Sequence, residues 1–410
     1  MQNGVSSERA RENSQHGGPT MDCVGAVLLA EEAVVQSLDL RLEGVESLGS
    51  LELPRGGRNA FGDPVVVPAA LGGAARVRRA AAEVASGHRV GFLSSTRELV
   101  GSTDVLREMA AKRLGTVFHL LEPQGAEMAL ALADLGWGML FAGGVAESFD
   151  LALVARRAAE DSGTPFFVVH DVARPRRSEG VAHLDAELVH EFVGHPSVHL
   201  LPITNVGHSS HAPGGSRAFA ERVPFALASG LRDIEAFTGR KRDVLTRTNH
   251  AQTGRGGDAS LMLVGLGALG DALLEGIPRL RAQGHDVGAV KVTAFRPFDG
   301  PRAVRLLARS LALTVLEHTD EPFAQSNPLT REIKAGFSDA LTWAPDYPGV
   351  GRIPRIHSGV ARAAVHVEAH DLDSIVRNML AGEGGKRSFV LGGEAPHALD
   401  PAAQPPTATP

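Results

Sequence analysis

The stretch that decides the fold runs from Gly138 to Val172: GMLFAGG, then VAESFDLALVARRAAEDSG from Val145, then TPFFVVHDV from Thr164. The outer segments are short aromatic and β-branched runs, the composition of strands. In the middle segment Val145, Phe149 and Leu153 recur every four residues, while Glu147, Asp150, Arg157 and Glu160 fall largely elsewhere on the wheel. That periodicity predicts a helix lying on a sheet. Strand, helix and strand in this order form a βαβ unit, whose two strands run parallel.

The alternation continues outward from this unit. Upstream, from Pro64 onward, HRVGFLSS (from His88) and TVFHLLE (from Thr116) read as strands, and TDVLREMAAKRLG (from Thr103) and GAEMALALADLG (from Gly125) as helices. Downstream, prolines, glycines and histidines between residues 194 and 222 break the rhythm, as a long functional loop or an insertion would, before a helical PFALASGLRDIEAFTG from Pro224. Arg247 to Asp258, RTNHAQTGRGGD, is polar, glycine-rich and without apolar periodicity, which predicts a linker. Beyond it ASLMLVGLG, VGAVKVTAF, LALTVLEHT and RIPRIHSG alternate with four further helical patterns. The expected architecture is α/β in two domains, each a mainly parallel sheet flanked by helices: residues 21–246 and 259–385 around a linker at 247–258, with disordered tails at 1–20 and 386–410.

Composition limits the function. The chain has 410 residues, 43% of them apolar, enough to fill two cores. Forty-one basic against forty-seven acidic side chains leave a net charge of −6, so the footprint of a nucleic-acid binder is missing. The single cysteine, Cys23, can neither close an intrachain disulfide nor ligate an iron–sulfur cluster, and a reducing cytoplasm is the expected compartment. Apolar runs such as Val24–Ala30 fall far short of the roughly 20 residues that cross a bilayer, and no secretory leader is evident.

Single motifs read mostly as structure. Gly265-Leu266-Gly267-Ala268-Leu269-Gly270 has the dinucleotide-binding spacing between a strand and a helix. It lacks the acidic companion about 20 residues on at the end of the next strand, which closes here on Thr293-Ala294-Phe295. The small residues read instead as a tightly packed strand-to-helix turn. His183, His190, His195, His199, His208 and His211 cluster in the sequence, yet Pro196 separates His195 from His199 and no HExxH-like pattern appears, so they read as loop histidines and no metal site is assigned. There is no G-x-S-x-G elbow and no P-loop, and Cys23 among Val24, Ala26 and Val27 reads as a small buried hydrophobe.

Several strings together resemble the first two domains of pyruvate:ferredoxin (flavodoxin) oxidoreductase and the 2-oxoacid:ferredoxin oxidoreductase family. GGRNAFGDPVVV (Gly56–Val67) is similar to that family's Gly-Arg-Lys-Asn-Ile-Phe-Gly segment. Gly144 to Arg174 resembles its helix and Pro-Phe…Phe-Asp-Gly-Phe-Arg strand end, with Asp171 and Arg174 on the Asp and Arg. VGAVKVTAFRPF places Arg296 on a family Arg-Pro-Phe, and LALTVLEHTDEPFAQSNPL keeps Thr319, Glu321 and Pro322 of a Thr-Lys-Glu-Pro pattern. The match covers roughly Met21 to Leu380 and rests on the order of the strings.

The resemblance implies a thiamine diphosphate enzyme's pyrimidine-binding domain followed by a transketolase C-terminal-like domain. It also implies departures. The family's glutamate on the aminopyrimidine falls near Gly73 in ALGGAARV, and its substrate-carboxylate arginine falls on Pro123 in VFHLLEP. Its Tyr-Pro-Ile-Thr-Pro turn is unrecognisable around Leu38–Leu51. No catalytic residue is therefore assigned; Asp171, Arg174, Arg296 and Glu321 are matched positions without an assigned role. Thiamine diphosphate with Mg²⁺ would need a diphosphate-binding partner subunit, and electron transfer an iron–sulfur subunit, beside any pairing of the chain with itself. The expected function is a subunit or divergent homologue of a 2-oxoacid (pyruvate):ferredoxin oxidoreductase, inactive alone, contributing half a thiamine diphosphate site or a structural or regulatory role. The alternative is a non-catalytic interaction or small-ligand-binding protein that reuses the scaffold.

Overall fold

The computed structural model of the chain describes residues 20–41, 57–69, 71–123, 125, 127–172, 179–180, 186–196, 221–248, 259–361 and 367–391. Its strands are β1 (Thr20–Met21), β2 (Ser37–Leu40), β3 (Val90–Ser94), β4 (Val117–Glu122), β5 (Gly138–Ala142), β6 (Phe166–Asp171), β7 (Glu179–Gly180), β8 (Leu245–Arg247), β9 (Leu261–Leu266), β10 (Val287–Val292), β11 (Ala294–Arg296), β12 (Ala312–Glu317), β13 (Arg355–Val360) and β14 (Ser388–Val390). The helices are α1 (Cys23–Glu32), α2 (Gly73–Ala85), α3 (Thr96–Leu99), α4 (Thr103–Ala111), α5 (Glu127–Leu130), α6 (Val145–Ser162), α7 (Ala186–Val193), α8 (Arg222–Thr238), α9 (Gly267–Ala282), α10 (Gly300–Leu307), α11 (Pro328–Leu341) and α12 (Ala369–Leu380).

Two six-stranded sheets carry the fold, ordered β11-β5-β6-β4-β3-β2 and β14-β13-β12-β9-β10-β8. Every pairing within them is parallel except at one edge of each, where β11 lies antiparallel to β5 and β8 antiparallel to β10. The α/β, two-sheet expectation holds, and the βαβ unit at β5, α6 and β6 is the one read from the sequence.

The edges differ from the expected domain borders. β8 runs from the end of the expected first domain into the first residue of the expected linker yet pairs with the second sheet, and β11, after β10, pairs with the first. β14 extends the second sheet where a disordered tail was expected. Each of these strands is three residues long, too short to show an alternation, and backbone pairing alone fixes its sheet. The helix expected over GAEMALALADLG is confined to Glu127–Leu130. After it Ala131, Leu132 and Ala133 donate to carbonyls three residues back, a tighter coil that buries Leu132 and Leu135. Residues 1–19, 249–258 and 392–410 of the expected tails and linker lie outside the described residues.

Alternation along the strands sorts the core into faces. On one face of the first sheet Leu93, Val117, Phe166 and Val168 pack under α1, α6 and α8. On the other, Phe92, Phe118, Phe167 and Val169 join Val264, Val292 and Phe295 of the second unit in one continuous cluster. The far face of the second sheet packs Leu263 and Leu316 against α9 and α12. The two sheets therefore share a core, and their carboxyl ends come together along it.

Candidate functional site

In open parallel α/β sheets, ligands sit outside the carboxyl ends of the strands. Here the ends of β5 and β6 face those of β9 and β12 across a narrow cleft lined by Phe141, Ala142 and Val169 on one side and Leu266, Ala268 and Leu269 on the other. Its open volume is about 20 Å³, room for one or two waters. The polar groups at its mouth are Asp171 from β6 and Glu317, His318 and Thr319 at the end of β12.

The glycine string forms this cleft's tight wall. Gly267 starts α9 at φ +44°, and a Cβ there would stand 2.9 Å from the Phe141 Cβ and 3.1 Å from the Ala142 carbonyl oxygen. At Gly270 it would meet the Gly265 carbonyl oxygen at 2.7 Å. The spacing brings α9 onto β5 of the other sheet.

Carboxyl groups dominate the mouth. Glu317 is buried; its Oε1 accepts from the Leu329 amide (2.6 Å) and its Oε2 from the Thr330 amide (3.2 Å) and hydroxyl (2.7 Å), at the start of α11. Burial raises its pKa to about 7, against the lowering effect of those hydrogen bonds. Beside it His318 donates from Nδ1 to the Ala361 carbonyl at 2.8 Å. On the facing sheet Glu122 lies across from Asp171 in the β4–β6 ladder. Burial raises the Glu122 pKa, Thr96 hydrogen bonds work the other way, and the Asp171 charge adds to the rise. No cationic side chain lines the cleft among the described residues.

The departure at Gly73 has a physical setting. Gly73 opens α2 at φ +51°, where an L side chain is strained, and nothing lies within 4 Å of a Cβ built there. The carboxylates nearby are engaged: Asp39 by Arg76 and Arg79, and Glu98 by Arg41 (3.1 Å), Arg76 (3.1 Å) and the Ser94 hydroxyl (2.8 Å). Glu83 lies 3.8 Å from Arg79. The residues present do not fit a thiamine ring that needs a free carboxylate at this helix.

Of the four matched positions, Asp171 alone lines the cleft among the described residues. Arg296 stacks over Phe295 and pairs with Asp134 (3.1 Å) and Glu332 (3.0 Å), and Glu321 pairs with Arg331 (2.8 Å). The Glu321 pair lies on the second unit, while Arg296 bridges the two units through Asp134 and Glu332. Arg174 lies outside the described residues, as do His183, His199, His208 and His211. His190 and His195 pack their rings on Phe61, with centroids 4.2 and 5.5 Å apart.

Two polar clusters escape sequence reading, because their members come from distant segments. Under the first sheet Glu31 accepts from Arg156 (2.5 Å) through Oε2 and bonds His119 Nε2 (3.1 Å) through Oε1. His119 Nδ1 meets His170 Nε2 at 3.1 Å, and His170 Nδ1 meets the Ser148 hydroxyl at 3.0 Å. Burial raises the Glu31 pKa, but Arg156 and His119 outweigh it and the carboxyl is held below its usual range. An ionised Glu31 accepts from both neighbours, so His119 carries a proton on Nε2. Burial, then the neighbouring His119, keep the His170 pKa well below 6.5. At the junction of the sheets Lys291 Nζ sits between Glu147 (2.5 Å) and Asp271 (2.8 Å), and the Gly143 amide donates to Glu147 at 2.6 Å.

Two interlocked, mainly parallel α/β sheets meeting at their carboxyl edges define the class; within it, the chain is homologous to the 2-oxoacid:ferredoxin oxidoreductases. Residues 259–353 match the family model described as pyruvate:ferredoxin oxidoreductase core domain II. The chain is 24% identical over 311 residues to a pyruvate-flavodoxin oxidoreductase of Klebsiella pneumoniae, covering 69% of this chain and 26% of that protein. It is 28% identical over 198 residues to pyruvate synthase subunit PorA of Pyrococcus furiosus, covering 45% and 48%. The chain thus spans about a quarter of the length of the first curated relatives it matches. Among solved structures it shares its fold with the 2-oxoglutarate:ferredoxin oxidoreductase from Magnetococcus marinus (TM-score 0.60, 13% identity, 89% of this chain and 65% of that one). A split-gene transketolase solved as an inactive β4 tetramer is a second fold relative (TM-score 0.52, 12% identity, 88% and 99%).

Proposed function

We propose that this chain is a structural or regulatory subunit of a 2-oxoacid:ferredoxin oxidoreductase-type complex, with the chemistry supplied by partner polypeptides. The observation that carries the reading is the pairing of a retained two-sheet scaffold with a carboxyl-rich cleft that has no cation among its described lining residues. A 2-oxoacid presents a carboxylate, and Asp171 and Glu317 at the cleft mouth repel it wherever they are ionised. The engaged state of Asp39 and Glu98 around the start of α2 adds to the case against a working pyrimidine site on this chain.

Affinity purification of the tagged chain from its native cell tests this. Iron–sulfur and diphosphate-binding subunits are expected with it in fixed ratio; recovery of the chain as a lone species would refute the complex. Calorimetric titration with thiamine diphosphate and Mg²⁺ tests the chemistry: the chain alone is expected to show no heat of binding, and saturable micromolar binding would overturn the structural assignment. Gly72→Glu is the informative restoration, because Gly72 is extended (φ −103°) while a side chain at Gly73 is strained. A gain of thiamine diphosphate affinity in that variant would show that only the carboxylate is missing.

A further inference from the structure

A second and larger opening lies away from the cleft, between α8, the chain from Lys241 to Val244 and the loop Pro297–Arg302. Its volume of about 550 Å³ falls within the range of small-molecule sites. The floor is apolar: Leu227 and Leu231 from α8 are buried there, with Val244 and Phe298 closing the sides.

The charges around it are unequally engaged. Arg302 forms a two-pronged pair with Asp243 at 2.6 and 2.5 Å, and Arg242 is bound to buried Asp150 at 2.7 Å. Asp299 caps α10 by accepting from the Arg302 amide at 3.0 Å. Arg232 and Lys241 stand exposed at the rim with no side-chain hydrogen-bond or ion-pair partner among the described residues, as does one carboxylate, Glu235. Four cationic side chains line the groove against three carboxylates, an excess of one positive charge.

We propose that this groove binds an apolar monocarboxylate, with its hydrocarbon body on Leu227, Leu231 and Phe298 and its carboxylate between Arg232 and Lys241. A long flexible cation held over an apolar floor suits such a ligand, because the stem covers hydrocarbon while the head meets the anion. One excess positive charge matches one carboxylate better than a phosphate monoester, which carries about −1.5 to −2 at neutral pH. The inference is independent of the function proposed above.

Calorimetric titration of the full chain with octanoate, at pH 7 and low salt, tests the proposal, with octanol and acetate as controls. Saturable octanoate binding at one site is expected. Octanol and acetate are each expected to bind at least tenfold more weakly, since one lacks the charge and the other the body. The double variant Arg232→Gln/Lys241→Gln should weaken octanoate at least tenfold, about 1.4 kcal/mol. Both residues are exposed, so the fold should be kept, which circular dichroism checks. Ala228→Trp, an exposed α8 position lining the groove, should abolish binding by filling it. Absence of saturable octanoate binding, equal binding of octanol or of acetate, or full affinity in the double variant would each overturn the proposal.

Discussion

Beneath the first sheet the carboxylate Glu31 is buried with a guanidinium and an imidazole against it, whereas the buried carboxyl of the second sheet, Glu317, is held by two amides and a hydroxyl. The first arrangement keeps its acid ionised and His170 neutral; the second drifts toward the protonated acid. The difference shows that burial alone does not set a charge state. A cation within hydrogen-bonding reach reverses the shift that desolvation imposes, and amides only moderate it. The two halves of one shared core therefore have opposite pH liabilities.

The comparison breaks most sharply if its cation is removed. Arg156→Met strands Glu31 in the interior beside His119 and is expected to cost about 3–5 kcal/mol, read as a lowered urea midpoint. Glu31→Gln should cost a similar amount, because it leaves the buried Arg156 guanidinium without its counter-charge.

The opposed pH dependences come next. Glu317 has its folded pKa raised to about 7 from 4.5, so its contribution is complete below pH 4.5 and is lost as pH rises to 7. Glu317→Gln removes that loss. Relative to the parent, the variant should gain on the order of 3 kcal/mol between pH 4.5 and 7.5, followed by thermal unfolding across pH. His170 has its folded pKa depressed below 6.5, so its contribution is present above pH 6.5 and is lost as pH falls beneath it. His170→Gln should flatten the acid limb of the same curve, and an unchanged limb would show that the imidazole pair takes up its proton without penalty.

Lys291 joins the two regions and gives an intermediate case. Lys291→Met leaves Glu147 with the Gly143 amide and Asp271 partly in water, so about 2 kcal/mol is expected. A loss confined to one of two unfolding transitions would show that the sheets unfold separately; a single transition is expected, given the shared core and exchanged edges. The smallest effect belongs to β14. Val390→Ala trims a side chain that is 42% exposed on this edge strand and should lower stability by less than about 1 kcal/mol, read as the urea midpoint.

Much of the first sheet was legible because long helices with four-residue periodicity leave a strong signal, as Val145, Phe149 and Leu153 do. The short edge strands and the coil after Leu130 carry no such signal. The candidate site was legible in one residue, Asp171, which lies at a strand end in the matched string. Arg296 and Glu321 matched as strings and then proved to serve surface pairs, because a string records neighbours in sequence and not what a side chain faces. Glu317 and His318 sat in plain view in LALTVLEHT, yet nothing local marks a glutamate that will be buried at the start of α11.

The sequence by itself determined two parallel α/β units, their order, and the absence of a carboxylate at Gly73 and a cation at Pro123, since these follow from periodicity and residue identity. Only the tertiary structure decided that the units exchange edge strands and share one core. It alone placed Lys291 between Glu147 and Asp271, and joined Ser148 to Glu31 through two imidazoles. These depend on which distant backbone segments pair, and the free energy that selects the pairing is spread over a whole buried core.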